Sequence, residues 1–200
     1  MGKRRLATAL AQYRERVPDA ALPAVRWLPF QLNPDLPEEG IARAEYLRRK
    51  FGNPNRSYGH VAQVGASVGI PFAFERITVQ PNTLHAHRLM HYADQRGRQD
   101  EMAETLFQAY FIEGANLADR TVLAEVGARA GFERGALAEY LASDADRELI
   151  ARADSDARNA GIGGVPFFIF NRRIGVSGAQ EPETLLEAML QAEKEASAAA

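Results

Sequence analysis

One stretch limits what this 200-residue chain can become: Gly161-Ile162-Gly163-Gly164-Val165-Pro166-Phe167-Phe168-Ile169-Phe170, then Asn171-Arg172-Arg173 and Ile174-Gly175-Val176-Ser177-Gly178. Glycines, a proline and four large apolar residues in a row read as a loop feeding a strand buried on both faces. Proline is tolerated at the first position of a strand, where no ladder donor is needed. The polar trio interrupts the apolar run and the run then resumes, which predicts a hairpin. Without Asn-Gly chemistry its turn type stays open. Val165-Pro166 is a candidate cis peptide, although trans is the commoner state of such bonds.

The segment 164–170, with 175–180 behind it, resembles the cis-proline loop and closing hairpin of the DsbA family, most closely its FrnE-like thiol-disulfide oxidoreductases. Trp27-Leu28-Pro29-Phe30-Gln31-Leu32-Asn33-Pro34 and the stretches 80–89 and 106–114 extend the resemblance over essentially the whole chain. It implies an α/β fold, a DsbA-like thioredoxin fold with an inserted helical domain. It also implies a dithiol-disulfide oxidoreductase or isomerase that acts on protein or small-molecule thiols and disulfides without a cofactor. Gly164, Val165 and Pro166 are then the substrate-binding residues. Phe30, Asn33, Asn82, His87 and Arg88 are candidate cleft-lining residues, and Pro166 is expected at the mouth of the largest cleft, between the core and the insertion.

The chain contains no cysteine. In FrnE-like proteins a Cys-Pro-Trp-Cys turn comes a few residues before a segment like Gly2-Lys3-Arg4-Arg5, so the resemblance places no catalytic residue inside this sequence. A cysteine at a helix N-terminus has its thiolate favoured by the orphan amides, which lowers its pKa from about 8.5 to about 7 or below. That thiolate attacks a disulfide and a second cysteine resolves the mixed species. Lacking both, the chain is expected to be redox-inactive. Its first helix opens uncapped on three cations, each disfavoured by a few tenths of a kcal/mol. The expectation is therefore a start inside a longer reading frame, with roughly ten to twenty further residues forming a strand and the Cys-x-x-Cys turn. That strand would lie between residues 25–30 and 167–170, leaving a gap or an atypical pairing in the sheet.

Two other readings remain open. A cysteine-free member could use the cis-proline cleft as a module binding peptides or another partner. A glutathione-dependent isomerase or transferase of this fold, such as 2-hydroxychromene-2-carboxylate isomerase, replaces the first cysteine by serine; Ser177-Gly178-Ala179-Gln180 resembles the FrnE pattern better.

A net charge of -2 gives nucleic acid or an anionic membrane nothing to hold. No apolar run approaches the roughly twenty residues of a membrane span, and no signal-peptide core opens the chain. A cytoplasmic protein, compatible with a homodimer, is expected.

Leu6, Leu10, Tyr13 and Val17 mark a first amphipathic helix ending before Pro18. Residues 25–30 read as a strand whose second half Pro29 confines to an edge. Helices are predicted over 41–51, 58–68, 83–96 (capped by Asn82), 99–113, 120–130 (capped by Asp119) and 133–141. A long helix over 144–160 would bury Leu149, Ala153, Ala157 and Ala160, and a last one opens at Pro182. The implied division is a thioredoxin-like domain of residues 1–37 and 144–200 around a helical domain of 38–143. His87 and His91 sit one turn apart with Arg88, opposite the buried stripe of their helix. No third ligand lies between them, so metal is not expected there.

Overall fold

The computed structural model describes residues 1–53, 55 and 58–198. Helices α1 (Gly2–Arg16) and α9 (Pro182–Ala198) pack side by side and carry the antiparallel hairpin of β3 (Phe167–Phe170) and β4 (Ile174–Ser177). Of the apolar spacing predicted for α1, Leu6 and Tyr13 are buried against Leu185, Leu186 and Met189 together with Ala9; Leu10 and Val17 are partly buried beside them, and Phe168, Phe170 and Val176 close this core from the hairpin. A buried leucine of this kind contributes about 1.5–3 kcal/mol. The hairpin turn is left-handed at both Asn171 and Arg172, and Arg173 N–H donates to Phe170 O at 3.0 Å. Paired positive φ values match the right-handed twist of the strands.

A second core lies in the helices between. Strands β1 (Ile41–Ala42) and β2 (Val79–Gln80) form a two-residue antiparallel pair beside α2 (Arg43–Phe51), and α3 (Gly59–Ser67) follows in the chain. Helix α4 (Leu84–Asp94) then packs against α5 (Gln99–Phe111), α6 (Arg120–Arg129), α7 (Arg134–Ala142) and α8 (Arg147–Asn159). Leu89, Met102, Leu123, Leu137 and Leu141 are its buried centre. Asp119 caps α6 by accepting from the Thr121 and Val122 amides, and Glu133 caps α7 through Gly135 and Ala136. Among the described residues no helix is long and apolar enough to cross a membrane.

Residues 25–30 are not a strand. They run without turn or bend, and among the described residues no backbone–backbone hydrogen bond involves 21–32. The β pattern in the sequence is real, but a ladder needs a neighbour, and the segment is held instead by side chains of α4, α5 and α8. Helix α8 begins at Arg147, after a left-handed Asp146, and buries Ile150 and Asp154. Leu149 is 51% exposed, and of the predicted alanine stripe Ala153 and Ala157 are half buried and Ala160 is exposed, because α8 leans on α4 through Ile150 and Asp154. The helix predicted over 41–51 yields its first two residues to β1, and α4 starts at Leu84 behind Thr83.

Candidate functional site

Helix α1 starts with no side-chain cap. The cations its dipole disfavours are neutralised from outside: Lys3 Nζ lies 3.0 Å from both Asp100 and Glu104, Arg4 pairs with Glu104, and Arg5 Nη2 is 2.6 Å from Glu181. Arg5 also donates to Ala179 O, just beyond β4. Burial pushes the Glu104 carboxyl up, but hydrogen bonds from Arg4 and Lys3 outweigh it and leave the pKa below the ordinary value. The helix start is thereby fixed to α5 on one side and to the hairpin on the other.

Against that start sits the loop singled out in the sequence. The Val165–Pro166 bond is cis. A Cβ built on Gly2 would stand 2.9 Å from Pro166 Cγ and 3.3 Å from Phe168 Cζ, so the missing side chain is what lets α1 seat on the proline. Pro166 O accepts from Gly178 N–H at 2.8 Å. Val165 is 49% exposed, and side chains at Gly163 and Gly164 would meet no atom within 4 Å. Gly164, Val165 and Pro166 thus form an open edge at the positive end of a helix. Two surface hollows, one between α1 and α9 (Gln12, Glu15, Arg16, Glu183, Leu186) and one between α6 and α7, are lined by none of these three residues.

The other expected cleft residues scatter. Phe30 is buried with the Arg158 guanidinium 4.4 Å from its ring centroid. His87 Nε2 donates to Phe30 O at 3.2 Å, which fixes the tautomer, and burial pushes its pKa down. Asn82 is buried, donating to Leu36 O at 2.8 Å and accepting from Leu84 N–H at 3.0 Å; it pins the 34–36 turn, to which Asn33 contributes its carbonyl. Arg88, expected beside the solvated histidines, is 0% exposed. It donates to the carbonyls of Tyr140, Leu141, Ser143 and Ala145, closing the C-terminus of α7, where a cation is favoured. His91 lies apart, near Gln95 and Asp146. Phe30 and His87 are brought together, as are Asn33 and Asn82 at the 34–36 turn, but the two pairs do not meet Gly164, Val165 and Pro166 in any described contact.

Sequence reasoning missed three anchors. The Gln99 carboxamide accepts from Trp27 N–H at 2.8 Å and donates to Trp27 O at 2.9 Å, imitating one rung of a sheet. Buried Asp154 accepts from Gln31 N–H at 2.6 Å, and Arg158 donates to Gln31 O. Glu38 gathers Arg147, Arg120 and His85, and hydrogen bonds from Arg147 and then Arg120 pull its pKa to about 2. Their partners lie tens of residues away, and no local pattern signals them.

A thioredoxin-type hairpin entered through a cis-proline, seated on the N-terminus of its first helix and joined to a bundle of helices, defines the DsbA-like class. The chain belongs to that family: the model of the DSBA-like thioredoxin domain matches residues 1–190. The crystal structure of SCO1869 from Streptomyces coelicolor, described as a probable DsbA oxidoreductase, superposes with a TM-score of 0.80 at 27% identity, covering 97% of this chain and 84% of that one. A 2-hydroxychromene-2-carboxylate isomerase structure superposes at 0.63 with 17% identity, covering 98% of this chain and 94% of that one, a likeness of fold alone. The uncharacterised protein YwbO of Bacillus subtilis (strain 168) is 23% identical over 177 residues, 85% of this chain and 82% of that protein.

Proposed function

We propose that this chain is a cytoplasmic FrnE-like member of the dithiol-disulfide oxidoreductases and isomerases, carrying the surface that docks protein or small-molecule thiols and disulfides and stabilises a thiolate. The observation that carries this reading is the contact of Gly2 with Pro166. It puts the amide end of α1, backed by Lys3, Arg4 and Arg5, beside the exposed edge of Gly164, Val165 and Pro166. A thiolate held there is stabilised by the orphan amides, and a substrate chain lies along Val165. The division into a thioredoxin-like domain of 1–37 and 144–200 and a helical domain of 38–143 is part of the same reading.

The two thiols that exchange requires are not among these 200 residues, so the chain as it stands turns over no disulfide. The reading is tested by joining a Cys-Pro-Trp-Cys turn to Gly2. Insulin reduction above a no-protein control, with the first thiol titrating at about 7 or below, is the expected result. A thiol that titrates near the free value of about 8.5, without turnover, overturns the reading. The half-exposed Val165 favours a second reading, a peptide-binding module on the same edge; it predicts peptide binding to the unmodified chain that a Val165→Asp variant loses.

A further inference from the structure

The segment 143–147, which joins α7 to α8, is held by side chains from elsewhere in the chain. Buried Arg88 donates from Nε to Ala145 O at 2.9 Å, and from Nη2 to Tyr140 O at 2.7 Å and Ser143 O at 2.8 Å. Asp146 keeps a left-handed φ of 59, which a residue other than glycine holds only where its surroundings impose it. Its carboxylate accepts from the Tyr140 hydroxyl at 3.0 Å. Arg147 pairs with Glu38, which also takes Arg120 at 2.8 Å. One buried ring stands between the Arg88 and Glu38 anchors: His85 has Nδ1 2.9 Å from Arg88 Nη1 and Nε2 3.4 Å from Glu38 Oε2. A guanidinium can only donate, so Nδ1 carries the lone pair and Nε2 the proton.

We propose that His85 is a proton-operated latch on this joint: a proton taken up at Nδ1 expels the Arg88 guanidinium and frees residues 143–147. The proton would occupy the lone pair that accepts from Arg88, leaving two donors face to face at 2.9 Å. The charges that face the ring are Arg88 on its own helix, Arg120 on α6 and Glu38 before β1, and Arg147 of α8 reaches the same carboxylate. Tyr140 of α7 has its ring centroid 4.8 Å from the Arg88 guanidinium and spends its hydroxyl on Asp146. Three guanidiniums around one carboxylate leave an imidazolium unbalanced inside the protein. Burial, the largest cause, already holds the His85 pKa below its ordinary value. Arg88 cannot move away and keep the carbonyls of Tyr140, Leu141, Ser143 and Ala145, because one planar fork serves them all. The helix that starts at the joint, α8, runs to the loop of 161–166, so the latch frees the head of the helix that leads to Val165 and Pro166. The inference does not rest on the functional reading above.

Amide hydrogen exchange on the 200-residue protein tests the latch. The reporters are the amides of Ser143, Arg147 and Ile150, which donate to Glu139 O, Asp144 O and Asp146 O, and the references are Leu106 and Val126 in the bundle core. With intrinsic rates corrected, one proton linked to opening should raise the joint's opening constant about three- to tenfold between pH 7.5 and 5.5. The joint should also open more readily than the core and independently of dilute urea, as a local opening does. His85→Asn keeps an acceptor at the Nδ1 position that takes no proton, and its joint protection should be the same at both pH values. His91→Gln is the control: His91 Nε2 lies 3.8 Å from Asp146, so its protonation would tighten the joint, and this variant should keep the rise. The ring nitrogen shifts of His85 in the unmodified protein decide the matter without any variant: protonation at Nδ1 should follow the loss of protection. The proposal is overturned by a joint that exchanges only together with the core, by protection that does not change with pH, by a His85→Asn variant that keeps the rise, or by a His85 ring that stays neutral throughout it.

Discussion

Gly2 and Pro166 lie so close that a Cβ on the former would stand 2.9 Å from Cγ of the latter, nearer than real Cβ atoms come. The proline ring is rigid and Phe168 Cζ blocks the other side at 3.3 Å, so neither neighbour can yield cheaply. Gly2→Val should cost about 1–3 kcal/mol through overpacking, read as a lower midpoint in denaturant. An unchanged midpoint would show that the helix start is free to move off the proline.

Arg88 should prove more important to stability than to any surface property. Replacing it with leucine strands several buried carbonyls of the α7 end, at about 1–3 kcal/mol each. A loss of at least ~3 kcal/mol is expected in chemical unfolding. Arg88→Lys should rescue little, since one ammonium cannot reach acceptors served by a guanidinium fork.

The Glu38 cluster makes the fold acid-sensitive. Its folded pKa is depressed to about 2 from 4.5, so its contribution is present above pH 4.5 and lost as pH falls toward 2. Glu38→Gln should lower the melting temperature at pH 7 and leave it nearly unchanged at pH 2. Burial also lowers the His85 pKa, and Arg88 Nη1, which can only donate, engages His85 Nδ1 at 2.9 Å. Protonating that ring is unfavourable in the fold, so this contribution too is lost as pH falls below 6.5. An NMR titration of His85 with its midpoint at or above 6.5 would contradict the assignment.

At the hairpin, Arg172 holds a left-handed φ of 59 without a side-chain tether. Arg172→Gly should stabilise the protein by about 0.5–1 kcal/mol. Asn171 shares the conformation but donates from Nδ2 to Ala192 O at 3.0 Å, so Asn171→Gly should gain less or nothing.

How much of this was readable in advance depends on how far each interaction reaches along the chain. The helices came from apolar spacing and local caps: Leu6, Leu10, Tyr13 and Val17 mark α1, Asp119 caps α6 and Pro182 opens α9, because helical hydrogen bonds and neighbouring side chains join residues within about four positions. The hairpin followed from Phe167–Phe170, three polar residues and Ile174–Ser177, all within one turn's reach. Residues 25–30 carry the composition of a strand, yet a strand exists only where a second backbone meets it, and tertiary structure put Gln99 and Asp154 there instead. The same limit hid Arg88 and Glu38. Whether a charged side chain faces water or a helix end dozens of residues away is decided by packing, through the cost of burying a charge without partners, and no spacing in the sequence records it.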